Sequence, residues 1–320
     1  MNILVLRTDK LGDFITALPS MKVLKQFDTK NKIIACVAPL NKTLAESCDF
    51  IDEVIVDNNE NIFDFAKKLK NAKIDVSITL YSNTRVAFAQ FLARIPKRIA
   101  PATKLAQIFY THRIKQRRSE VKMAEFEYNL ELTKVLFPNI DLSYKKPLLE
   151  FSDSKNIYND FSKKHGIKKE VIAFHVGFGG SSDANWNLDE YEILIQQVVK
   201  KNSYQVVMTF GPDETELYNE MKKRLDGLNI VFYISQDGLI TFAKLISNFK
   251  LFVSTSTGTY HLASLVGTPT MTFFGSSLFA SSSRWKSVGE EKLQQHFMIP
   301  NAVEDKLKLF NKVKDVLDSL

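Results

Sequence analysis

The sequence predicts an α/β protein made of two doubly wound parallel sheets, one in each half of the chain. Three observations predict it. Short apolar, β-branched runs alternate with amphipathic stretches of helical period, the order that yields parallel sheets. The runs are apolar almost throughout, as strands covered on both faces must be. The chain has 320 residues, more than one ordinary domain, and the alternation breaks once near its middle.

In the first half, strands are expected at Asn2–Leu6, Lys32–Ala38, Val54–Asp57 and Asp75–Leu80. Helical patterns follow them at 15–26, 41–47, 61–71 and 84–94. Residues 95–125 read as basic and irregular, 126–136 as a helix, and Pro138 to Asp153 as the linker. The second series has strands at Val171–Val176, Gln205–Phe210, Ile230–Ile234, Leu251–Ser254 and Thr270–Phe274. Its helices are expected at 187–201, 213–225, 238–248 and 258–266, before a last amphipathic stretch, Val303–Leu320. The domains are therefore placed at 1–150 and 151–302, with 303–320 as a helix packing across their junction.

Composition narrows the function. Lys and Arg outnumber Asp and Glu by 43 to 36, for a net charge of +7, which favours anionic partners. Cys36 and Cys48 belong to no CxxC or Cys/His cluster, so neither a metal site nor a disulfide framework is expected. Reduced, buried thiols suit the cytoplasm. The chain opens directly into a strand, without the layout of a signal peptide. No apolar run reaches the ~18 residues that a membrane-spanning helix needs.

Ligands of such sheets bind beyond the carboxyl ends of strands, which singles out three loops. The first holds Arg7, Thr8, Asp9, Lys10, Leu11, Gly12 and Asp13, and leads through Phe14 and Ile15 to Pro19. Gly12 permits close approach of backbone to a ligand. Asp13 falls near a helix N-terminus, where a carboxylate is favoured. It is either a first-turn acid or a general base. The second loop, His175–Trp186, carries Gly177, Gly179, Gly180, Ser181 and Ser182 between a strand and a helix. Backbone N–H groups and hydroxyls there suit a pyrophosphate. The third runs from Ser254 through Ser256, Thr257, Gly258 and Thr259 to His261. It again converges hydroxyls and N–H groups on a helix start. Trp186 and His261 also have a plain reading as packed core residues.

These loops resemble the bacterial heptosyltransferases, glycosyltransferase family 9. The first is similar to the family's opening. The third is similar to its Ser-x-Asp-Thr-Gly-x-x-His-Leu-Ala signature, followed by Gly-x-Pro-Thr (Gly267 to Thr270) and Phe-Gly (Phe274, Gly275). The resemblance implies a GT-B arrangement: two facing Rossmann-like domains with a cleft between them. It implies an inverting, metal-independent transfer of a sugar, heptose by resemblance, from a nucleoside-diphosphate sugar such as ADP-heptose to a lipopolysaccharide or lipooligosaccharide core acceptor. Asp13 takes the place of the family's catalytic base. Gly179, Ser181, Ser182, Ser256, Thr257, Gly258, Thr259 and His261 take the places that hold the donor. No cofactor is implied beyond the donor, which is a substrate. Two departures stand out. Ser256 replaces the family's Asp, and no Lys stands near Ala184 or Asn185. They leave open a different donor sugar, or a sugar-nucleotide-binding relative without activity.

Residues 85–122 hold ten Lys and Arg against one acid, Glu120, with Phe88, Phe91, Phe109 and Tyr110 interspersed. The aromatic spacing is not an RNA-binding signature, and no helix-turn-helix or zinc pattern accompanies it. The stretch is read as a surface for an anionic lipid-linked acceptor at the inner face of the cytoplasmic membrane, not for nucleic acid. Thr8, Lys10, Arg85, Arg98, Arg113 and Arg117 are the acceptor-binding candidates. A monomer is expected.

Overall fold

The computed structural model describes residues 1–103, 105–178 and 184–320. The chain divides into two units, Met1–Lys145 and Lys146–Leu320. Each holds a six-stranded parallel sheet.

The strands of the first unit are β1 (Asn2–Arg7), β2 (Lys32–Val37), β3 (Glu53–Val56), β4 (Val76–Thr79), β5 (Lys97–Pro101) and β6 (His112–Ile114). Its helices are α1 (Leu11–Ile15), α2 (Leu18–Phe27), α3 (Lys42–Glu46), α4 (Ile62–Asn71), α5 (Thr84–Leu92) and α6 (Glu125–Thr133). The second unit holds α7 (Ser154–His165), β7 (Val171–His175), α8 (Leu188–Lys201), β8 (Gln205–Phe210), α9 (Thr215–Arg224), β9 (Ile230–Ile234) and α10 (Leu239–Ile246). It continues with β10 (Leu251–Thr255), α11 (Gly258–Leu265), β11 (Thr270–Phe274), α12 (Ser282–Trp285), β12 (Gln294–Met298) and α13 (Val303–Asp318).

The sheet orders are β3-β2-β1-β4-β5-β6 and β12-β11-β10-β7-β8-β9. Numbered within its own unit, each sheet is 3-2-1-4-5-6, the Rossmann order. The central strands are buried for the reason their sequence gives. Ile3–Leu6, Ile33–Val37, Val171–Phe174 and Phe252–Val253 are apolar on both faces and inaccessible to water. Helices α4 and α5 cover one face of the first sheet through Phe65, Leu69, Val86 and Ala89. Helices α8 and α13 cover one face of the second, with Trp186, Leu194, Phe310 and Val313 inside.

All nine anticipated strands are present, but the stretch 95–125 is not irregular. It contains β5, β6 and a short 3-10 turn, Leu105–Phe109. A search for apolar runs misses β5 because it opens on Lys97 and Arg98, and β6 because it is a three-residue edge strand with His112 and Arg113 exposed. Strand β12 is mostly polar and α7 buries only Phe161, so neither stands out by period. The terminal helix rests on α8. Gln197 donates to the Lys314 carbonyl at 2.8 Å, and Phe310 meets the Trp186 ring at 5.4 Å.

Candidate active site

Strand order reverses between β1 and β4 in one sheet and between β7 and β10 in the other. Diverging connections open a crevice at such points. The three loops singled out in the sequence follow β1, β7 and β10, so each lies at a switch point of its own unit.

At the first, β1 ends on Arg7, a buried guanidinium at the centre of a charged cluster. Its Nε donates to Asp9 Oδ1 at 2.9 Å, and Nη2 to Asp13 Oδ1 at 2.5 Å. Nη1 reaches Glu125 Oε1 at 3.1 Å and the Leu80 carbonyl at 3.4 Å. Arg118 donates to the same Glu125 oxygen. A planar fork can hold several carboxylates at fixed angles, as an ammonium cannot. Burial alone would lower the Arg7 pKa; Asp9, Asp13 and Glu125 reverse that and raise it. Asp9 responds the other way. Desolvation, with the Asp13 charge, outweighs Arg7 and pushes its pKa up to about 6.

Asp13 sits on α1 with its neighbours Phe14 and Ile15 in the core, and its side chain keeps 20% of its exposure. It is neither packed inside nor free to swing. The helix beneath it is fixed from α6: Asn129 donates to the carbonyl and hydroxyl of Thr16, both at 3.1 Å. The Thr16 hydroxyl in turn donates to the Asp13 carbonyl at 2.6 Å. One short helix, α6, thus supplies both the brace of α1 and the carboxylate that anchors Arg7. Neither Glu125 nor Asn129 was singled out in the sequence, because their partners lie more than a hundred positions away.

The acceptor-binding candidates scatter. Lys10 is exposed beside Asp13, at the N-cap of α1, and Thr8 is half-buried in the same loop. The Arg85 guanidinium is engaged by both oxygens of Asp57 and by the Glu60 carbonyl. Arg98 stands at the amino end of β5, whereas Asp13 follows the carboxyl end of the parallel strand β1, and Arg98 donates to the carbonyls of Ile95 and Phe109. Arg113 is exposed on β6, and Arg117 pairs with Glu120 at 2.9 Å.

In the second unit, Gly179, Ser181 and Ser182 lie outside the described residues. The start of their loop is informative. A Cβ on Gly177 would stand 2.0 Å from a Glu214 oxygen, so only glycine fits without displacing that carboxylate. Glu214 accepts from the Gly211 N–H at 2.7 Å and comes within 3.9 Å of His175 Nε2. His175 Nδ1 faces the Thr209 carbonyl at 3.0 Å. A carbonyl only accepts, so Nδ1 carries the proton. Burial lowers the His175 pKa despite Glu214. Glu214 shares the signal that marked Asp13, an acid opening a helix just past a strand, yet it was passed over. Trp186 is a core residue, its ring 5.5 Å from Phe273, and Lys306 of α13 is the cation described over it, at 5.3 Å.

The third loop is an open helix start. No side chain caps α11 at Thr257, so the N–H groups of its first turn face outward without intrahelical acceptors. The hydroxyls of Thr257 and Thr259 lie 2.8 Å apart beside them. Ser256 and Gly258 are partly exposed there. His261 points the other way, under the helix, with Nδ1 3.2 Å from the Ser287 hydroxyl. Burial, with His296 nearby, pushes its pKa down to about 3, so it is a neutral packing group and not a proton carrier at neutral pH. The arrangement offers dipoles without charge, which suits an anion.

Comparison with known proteins fits this geometry. The model of "Glycosyltransferase family 9 (heptosyltransferase)" matches residues 62–301. A provisionally named glycosyltransferase of Haemophilus influenzae is 34% identical over 318 residues, covering 96% of this chain and 92% of its own. Among solved structures, the ADP-heptose lipopolysaccharide heptosyltransferase II of E. coli superposes with a TM-score of 0.78 at 16% identity, covering 99% and 100% of the two chains. The E. coli heptosyltransferase WaaC with ADP gives 0.72 at 16% identity, covering 99% of each. At such identity the two structures testify to the fold alone.

Proposed function

Since this chain belongs to glycosyltransferase family 9, we propose that it is an inverting transferase that moves a heptose from ADP-heptose to the core saccharide of a lipid-linked acceptor. The observation that carries the proposal is the Asp13 carboxylate, part-exposed at a switch point and held by one oxygen on the buried Arg7 fork.

With Oδ1 held by Arg7, Oδ2 is left to take the proton of an acceptor hydroxyl. That oxygen then attacks the anomeric carbon as the bond from the anomeric carbon to the diphosphate breaks. The nucleoside diphosphate leaves with the electron pair, and its added charge falls on the first-turn N–H groups of α11 and the hydroxyls of Ser256, Thr257 and Thr259. The first unit supplies the base and the second holds the donor. Arg7 acts as a positioning residue, and Glu125 and Arg118 keep it in place. Among the described residues no three His, Cys, Asp or Glu side chains cluster as a metal site would require, and the proposed transfer needs no divalent ion.

The acceptor end of the proposal rests on charge. The exposed cations of 94–117 suit an anionic glycolipid at a membrane surface. No helix among the described residues is long and apolar enough to cross one; in this proposal the protein acts at the membrane surface, as a monomer.

Ser256 and Asn185 favour one second reading, a different sugar nucleotide, because they remove an acid and a cation expected around the donor. A thermal-shift screen over ADP-, UDP-, GDP- and CDP-sugars separates the two, since a ligand of the native state raises its apparent stability. Stabilisation by ADP-heptose with product formed on a core acceptor supports the first. Stabilisation by another sugar nucleotide alone replaces it, and no response to any of them defeats both.

A further inference from the structure

We infer that the outer face of α5, together with the 3-10 turn Leu105–Phe109, is the surface by which this protein seats on an anionic lipid bilayer. This deepens the proposed function by naming the face that meets the acceptor's membrane, and it rests on that reading.

The apolar groups come first. Helix α5 buries Val86, Ala87, Ala89 and Gln90 against the sheet, which turns Phe88 and Phe91 outward. Phe88, Phe91 and Phe109 pack against one another, with centroids 5.0 to 6.2 Å apart. Within this platform Phe91 keeps 49% of its exposure, and beyond it Leu105 keeps 79% and Ile108 65%. Scattered exposed apolar residues are ordinary, but a cluster of large ones on one short segment calls for a partner.

The charges come second. Strand register places Arg98 opposite Ser77, and Arg113 opposite Ala100. Both side chains therefore leave the sheet on the face that carries α5. Arg98 is held there, its guanidinium 5.8 Å from the Phe91 ring and bonded to backbone carbonyls. An open groove of about 570 Å³ runs between Phe91, Leu92, Arg94, Ile95, Pro96 and Arg98. Among the described residues Arg94, Lys97, Arg98, Arg113 and Lys115 make no ion pair. The single acid of the stretch, Glu120, is occupied by Arg117 and Lys122.

A protruding apolar centre with a cationic rim fits a bilayer better than the alternatives. The apolar tips enter the boundary between headgroups and acyl chains, about 5–10 Å deep, and the rim meets anionic headgroups. A nucleic acid would leave Leu105 and Ile108 without partners, and a second copy would bring like charges together.

The test uses the full chain and vesicles without any acceptor sugar, so its outcome is independent of whether transfer occurs. Flotation with phosphatidylglycerol vesicles should recover the protein at low salt, and much less at high salt or with phosphatidylcholine alone. Arg94→Gln and Arg113→Gln should each weaken partitioning on the order of fivefold, and the Leu105→Ser, Ile108→Ser pair at least tenfold. Leu105→Cys carrying an environment-sensitive dye should shift to the blue on binding, and Glu216→Cys on α9 should not. Selective labelling is feasible because Cys36 and Cys48 are buried. Binding to duplex DNA with none to vesicles would overturn the inference. So would salt-insensitive binding to neutral vesicles, a dye at 105 that stays in water, or a dimer that the Ser pair dissociates in a protein that ignores vesicles.

Discussion

The two switch points solve opposite problems with opposite materials. At β1 the cluster is charged, with three carboxylates around Arg7 and a second guanidinium, Arg118, behind. At β10 it is neutral, with an uncapped helix start, three hydroxyls and a histidine buried without charge. A base must be a fixed charge, and ion pairs fix it. An anion already brings its own charge, and dipoles receive it without the desolvation that a buried counter-ion would cost. The chain carries a separate reporter for each half. Cys36 and Cys48 lie in the first unit, and Trp186 and Trp285 in the second; these are all the cysteines and tryptophans present.

That division can be broken in steps. The largest expected effect is on turnover. Asp13→Ala should lower it at least ~100-fold, within the usual contribution of a general base, with donor affinity by calorimetry unchanged within about twofold. Near-normal turnover would remove Asp13 from its role. Next is Arg7→Met, which removes the guanidinium that Asp9, Asp13 and Glu125 share and leaves Glu125 to Arg118, at a cost of ~3–5 kcal/mol. Reactivity of Cys36 and Cys48 toward dithiodipyridine should rise steeply, with the tryptophan transition in urea as the control for the second unit. Unchanged thiol protection would mean that the charged cluster contributes little to folding.

At the neutral site the effects shrink. Thr257→Val should weaken donor binding by about 1 kcal/mol, roughly fivefold, and leave the rate at saturating donor nearly intact. A loss confined to the rate would point to a role beyond binding.

The last test is pH, where the two units should respond with opposite sign. Burial holds His261 at about 3 and His296 at about 4, below their ordinary 6.5. Their contribution is therefore complete above pH 6.5 and lost as the pH falls toward 4 and then 3. Tryptophan-monitored stability should fall over that range. Asp9 is raised from 3.8 to about 6, so its contribution is complete below 3.8 and lost as the pH rises through 6. Thiol protection in Asp9→Asn should lack that component. The same pH trend from both reporters would refute the contrast.

Much of the fold was legible because parallel strands buried on both faces write themselves as apolar runs, and Ile3–Leu6 or Ile172–Phe174 can be read as nothing else. Strands β5, β6 and β12 were not, because Lys97, Arg98, Arg113, Gln294 and His296 break their apolar runs. At the site, the loop after β1 was found from Gly12 and Asp13, but nothing in it gave Arg7 its central place. Its link to Glu125 depends on α6 returning to the end of β1 after more than a hundred residues.

The sequence by itself determined the local matters: two alternating α/β series, the glycine and hydroxyl turns after β7 and β10, and an acid in the first turn after β1. These are set by neighbours a few positions apart, through hydrophobic period and backbone freedom. Tertiary structure alone decided which charges are committed and which are left. It bound Arg85 to Asp57, turned His261 under its helix, filled the space above Gly177 with Glu214, and left Arg94 and Arg113 in solvent. Ion pairing and burial depend on distances in space, and the order of residues along a chain does not fix those until it has folded.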